Sequence, residues 1–178
     1  MNILNISMNN GEAAITAPWN CYAGTISILG TIHEFRLYYK HVKASTINFI
    51  NHIIEVILPN KFRKAKTNDL LKIVVAKLYD KIAEQEIERA MEKTRLLLGF
   101  APEDFAIKRF KNGQISKCYI DEKKIVISPD IVKYDRRTIE YIVLHEFCHL
   151  KYKTHSKGFW QIMKTYMPNY EKYEMLLQ

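Results

Sequence analysis

Cysteine is scarce in this chain of 178 residues, and Cys21, Cys118 and Cys148 form an odd set without framework spacing. That excludes a disulfide scaffold and makes a reducing cytoplasm the expected location. No apolar stretch approaches the length needed to span a bilayer, so no membrane role is expected. The opening Met1-Asn2-Ile3-Leu4-Asn5-Ile6-Ser7 lacks the basic segment and long apolar run of a signal peptide. Internal repeats and low-complexity tracts are also absent. Acidic residues are the minority, 19 against 27 Lys and Arg, which leaves a formal net charge of +8. Such a balance favours anionic partners, nucleic acid among them, yet no nucleic-acid motif accompanies it. The densest basic cluster, Lys61, Arg63, Lys64 and Lys66, reads first as loop decoration and second as a nucleic-acid contact.

What remains is ordinary globular composition, 48% apolar and 26% charged, enough for one domain with a buried core. Residues 1–24 read as an N-terminal extension or edge segment, polar and Asn-rich with Pro18 near its end, and 25–178 as the domain proper. From Thr25 to Leu58 the pattern is β. Gly30 separates Thr25–Leu29 from Thr31–Lys40, and Asn51-His52 separates Thr46–Ile50 from Ile53–Leu58, with Pro59-Asn60 as a stop. An antiparallel meander is expected. Thr67 or Asn68 then caps a long helix carrying Leu70, Leu71, Val74, Val75, Leu78 and Ile82, which Gly99 closes. Its length invites a bend near Glu84–Glu86. Beyond Pro102, strands return at Phe105–Phe110, Ser116–Ile120 and Lys124–Ser128, with turns at Asn112-Gly113 and Asp121-Glu122-Lys123.

The next segment carries chemistry. Arg137–Lys151 reads as a helix with Ile139, Ile142, Val143, Leu144, Phe147 and Leu150 on an apolar face. Within it stands His145-Glu146-Phe147-Cys148-His149. Four residues advance a helix by about 400°, so both imidazoles point the same way and can converge on one cation. Glu146 is rotated away from that position and can reach a water beside the ion as general base. A third ligand is needed, and His155 follows across Lys151-Tyr152-Lys153-Thr154, with Ser156 and Gly158 easing the turn. Three neutral imidazoles and one open position describe a catalytic zinc site.

The sequence resembles the YgjP-like metallopeptidases, relatives of the SprT-type zincins. The resemblance rests on Tyr141-Ile142-Val143-Leu144-His145-Glu146-Phe147-Cys148-His149-Leu150, then His155-Ser156, Phe159-Trp160 and Pro168-Asn169-Tyr170. It implies an α+β, zincin-like domain: an antiparallel meander and long helix, followed by a small sheet packed on the metal helix. It also implies that His145, His149 and His155 bind zinc and that Glu146 activates water. The chain departs from the family between Arg109 and Cys118. An Arg-Trp-Gly-Ser-Cys-like segment is usual there, and only Arg109, Ser116 and Cys118 echo it, at altered spacing.

Other residues read more plainly. Cys148 is expected to pack behind the histidines and Cys118 in the core. His33, His41 and His52 have no ligand spacing. Phe159 and Trp160 are expected to wedge a following helix against the metal helix, and Tyr170, Tyr173, Met175 and Leu176 to form a closing one. Tyr152 and Tyr166 are the tyrosines nearest in sequence for an oxyanion. The expected function is a zinc metallopeptidase acting on a protein or peptide that pairs with a sheet edge near Lys124–Ser128. Two alternatives use the same features: zinc hydrolysis of a nucleotide phosphoanhydride, or a basic nucleic-acid-associated protein with a structural zinc. Glu146, which a purely structural site does not require, favours the enzyme.

Overall fold

The computed structural model describes residues 6–9, 21–64 and 67–177. They belong to two compact units, Met1–Val74 and Val75–Gln178.

The first unit holds a five-stranded sheet. Its strands are β1 (Ile6–Asn9), β2 (Cys21–Ile28), β3 (Thr31–Lys40), β4 (Ser45–Ile50) and β5 (Ile53–Pro59). Leu29 and Gly30, both at positive φ, make the two-residue turn of the β2–β3 hairpin, and Asn51 at φ 55° opens the turn between β4 and β5. The two hairpins are antiparallel, but they are not joined as a meander. The sheet order is β1-β4-β5-β3-β2, and β3 runs parallel to β5. This corrects the expected topology, and side-chain pattern supplies the reason. β5 is apolar almost without interruption and buried at Ile54, Val56 and Leu58, which suits a central strand; β4 alternates.

α1 (Thr67–Leu98) is a helix of 32 residues with no break at Glu84–Glu86. Glu86 instead bonds Arg136 and Arg89, and Lys93 bonds Glu140, so this stretch is tied down by ion pairs. Gly99 closes it at φ +71° with its N–H on the Arg95 carbonyl. The capping side chains expected at Thr67 or Asn68, residues 1–5 and 10–20 of the expected N-terminal segment 1–24, and Lys66 lie outside the described residues. Among those described, no helix is long and apolar enough to cross a membrane.

The second unit also contains a three-stranded sheet of β6 (Asp104–Ile107), β7 (Ser116–Tyr119) and β8 (Lys124–Ile127), in the order β6-β8-β7. β6 stops short of Phe110 because Arg109 leaves it to bond Asp80, Asp130 and the Ala76 carbonyl. β8, with Ile125, Val126 and Ile127 buried, is the central strand. The free edge expected near Lys124–Ser128 is therefore paired on both sides. β6 and β7 are the edge strands instead, and β7 is the one that carries Ser116 and Cys118. α2 (Arg136–His149), α3 (Lys157–Tyr166) and α4 (Tyr170–Met175) complete the unit.

Candidate metal centre

α2 begins where Asp135 accepts the Thr138 N–H at 2.9 Å and the Thr138 hydroxyl at 3.2 Å. Ile139, Ile142, Val143 and Phe147 bury one face, which fixes the rotation of the helix and leaves His145 and His149 on another. The helix ends at His149. Lys151 and Tyr152 both donate their N–H to the Cys148 carbonyl, turning the chain back so that His155 arrives just before α3. Gly158 lies inside the first turn of α3 and does not ease the preceding turn. Its value is space: a Cβ there would meet the Tyr152 ring at 2.7 Å.

The three imidazoles converge. Nε2 of His149 and Nε2 of His155 each lie 3.1 Å from Nε2 of His145. All three donor atoms fall within 4.8 Å of one another. Nitrogen ligands about 2.0–2.1 Å from a tetrahedral ion stand about 3.3 Å apart, so the spacing fits such an ion. Hydrogen bonding alone accounts for it less well. Nδ1 of His149 donates to the Tyr152 carbonyl at 3.1 Å, because a carbonyl only accepts. Its Nε2 is then a lone pair, and one proton on His145 Nε2 satisfies only one of the two close contacts. A cation satisfies both. Burial, reinforced by the other two histidines, pushes His145 down to about 3, and His149 is lowered chiefly by burial. Neutral imidazole is the ligating form. Nδ1 of His145 is buried without a partner among the described residues.

The floor beneath the histidines is Phe159, fully buried, with its ring 5.0, 4.9 and 4.7 Å from those of His145, His149 and His155. Trp160 stacks on exposed His155 at 5.4 Å and on Tyr170 at 5.0 Å. Aromatic packing therefore orients the imidazole that no helix holds. Cys148 is fully buried with Sγ 3.7 Å from Met163 Sδ, facing α3, and burial pushes its thiol up to about 12.

Glu146 is buried, and the Ser116 hydroxyl donates to its Oε1 at 2.7 Å. The Cys118 backbone N–H donates to it as well. Burial pushes the carboxyl up to about 7, and these two donors act in the opposite direction. Two clefts meet at Ser116, His145 and Glu146. One, about 370 Å³, extends past His149 toward Lys153 and β7; the other, about 220 Å³, extends along Tyr141 and Ile142 to Glu174 and Leu177.

A family model for the YgjP-like metallopeptidase domain matches residues 10–178. The chain belongs to the YgjP-like metallopeptidases. That makes it a metal-dependent peptidase by family, and its histidine cluster is one that could hold a metal ion. Similar solved structures include two metallopeptidase zymogens. Abylysin of Pyrococcus abyssi is 23% identical to this YgjP-like chain, with a TM-score of 0.47 over 51% of this chain and 90% of that one. Jannalysin of Methanocaldococcus jannaschii is 22% identical, with a TM-score of 0.46 over 51% and 92%. No curated protein matches.

Sequence reasoning named the three histidines and Glu146, and the fold brings them together. His33 and His52 pair with each other in the first unit, ring centres 5.9 Å apart, and His41 is exposed. Of the tyrosines nearest in sequence, Tyr152 acts through its backbone carbonyl, and Tyr166 is 42% exposed. Three site residues went unsingled in the YgjP-like sequence. Tyr141 had a signal, since it precedes His145 by four residues and so shares its helix face. Lys153 and Glu174 had none.

Proposed function

We propose that this chain is a zinc peptidase in which His145, His149 and His155 hold the ion and Glu146 is the general base. The observation that carries the reading is the convergence of three Nε2 atoms beside a buried carboxylate on the helix of His145 and His149. Zinc, when bound, supplies a Lewis acid toward a peptide carbonyl and makes water more acidic. The protein does the rest. His149 is held in the ligating tautomer by the Tyr152 carbonyl, and His155 by Phe159 and Trp160. Glu146, fixed by Ser116 and the Cys118 N–H, takes the proton of the attacking water and passes it to the leaving amine. An extended peptide adds to the edge of β7, the strand that carries Ser116 and Cys118 over Glu146.

Glu146→Gln tests this assignment. The variant should keep its metal while losing peptide cleavage by at least about 100-fold, because an amide cannot take the proton. Cleavage within about threefold of the parent would remove Glu146 from the reaction.

A further inference from the structure

The two clefts that meet at Glu146 carry opposite charge. Lys153 lines the larger one, beyond the C-terminal end of α2; Glu174 lines the smaller one, toward the helix's N-terminal half. Neither side chain makes an ion pair among the described residues, unlike Glu140 and Arg136 nearer the start of α2. Lys153 is exposed and Glu174 half-buried, so both can reach a bound chain. The smaller cleft adds a buried aromatic wall, Tyr141, and the apolar Leu177, which suit the stem and head of a long cationic side chain. The larger cleft holds a second cation, Lys117, over the Tyr119 ring, beside the polar Gln114 and Ser116. A chain of net charge +8 also draws acidic segments toward it, and Glu174 is a local exception to that field.

We propose that the substrate is a peptide of opposed charge, with an acidic side chain in the Lys153 cleft and a cationic one in the Glu174 cleft. This rests on the peptidase reading above and adds the substrate class. Lys153 and Glu174 are specificity residues here: each pairs with substrate at some distance from the scissile bond. Together they fix the direction in which the peptide lies, because reversing it sets like charges against each other in both clefts.

The test uses the zinc-loaded full chain and two internally quenched peptides with a common core. One carries Glu before the core and Lys after it; the other has the two interchanged. The wild type should prefer one of them by about fivefold or more, mostly in KM, since each exposed pair contributes modestly. Lys153→Glu, made together with Lys117→Gln so that no cation stays in the cleft, and Glu174→Lys should each weaken the preference, and the combined variant should reverse it. A wild type that treats both peptides alike, or a combined variant that keeps the original preference, would overturn the proposal. If neither peptide is cleaved, the peptidase reading fails separately. The same peptides are then titrated onto the zinc-loaded protein by fluorescence anisotropy. A binding preference that reverses in the combined variant sustains the opposed clefts, and equal binding overturns them.

Discussion

His149 shows how one backbone carbonyl decides what a ring nitrogen can do. With Nδ1–H donated to Tyr152, Nε2 faces His145 as a lone pair, and one proton on His145 Nε2 cannot serve both this contact and the one to His155, each 3.1 Å, whereas a cation serves both. Ser116 does comparable work on Glu146, holding Oε1 at 2.7 Å inside a buried site. Cys118, beside them, is a sensor of that environment. Burial first, and the Glu146 charge second, push its thiol up to about 11, against about 8.5 for a free cysteine. A raised pKa keeps the thiol neutral, and only the thiolate alkylates. In metal-free protein at pH 8 its reaction with iodoacetamide, followed by mass on the Cys118 peptide, should be about 100-fold slower than for a free cysteine. The rate should go on climbing about tenfold per pH unit through pH 10. A plateau by pH 9 would contradict this placement of the thiol.

At the scale of elements, α2 matters most, and its start is secured by one side chain. Asp135 accepts both the N–H and the hydroxyl of Thr138, so Asp135→Ala should cost about 1 kcal/mol. Thermal unfolding should fall by about 3 °C, and Asp135→Asn should restore most of the loss. An alanine variant as stable as the parent would show that the cap contributes nothing. The helix itself is legible in the sequence because its signals are local: an apolar face at helical spacing, and two histidines four apart. Its neighbours in the sheets are less so. Alternation locates β3, β4 and β5 to within a residue, yet periodicity along a strand does not say which strand lies beside it. The parallel β3–β5 pairing is therefore a tertiary choice, and the near-continuous apolar run of β5 is the one sequence feature that foreshadows it. β6 ends early for a similar reason. Arg109 is drawn out of the strand by Asp80 and Asp130, partners 29 and 21 residues away.

On the scale of the whole molecule, the family match spans 10–178, whereas every residue of the candidate site lies in the second unit, Val75–Gln178. The metal cluster is legible because its three histidines and Glu146 fall within one short stretch of chain. The clefts around it are not. Lys153 reaches one through the turn after α2, Glu174 reaches the other from α4, and no spacing in the sequence links these two residues to each other. An ion that binds only the folded chain also stabilises it by mass action, so the site couples metal to the stability of the fold. The most direct test of the account is the metal content of protein purified without chelators, measured beside His149→Ala. The prediction is about one zinc per chain, lost in the variant. A parent protein that carries no metal and takes up none when zinc is supplied would contradict it.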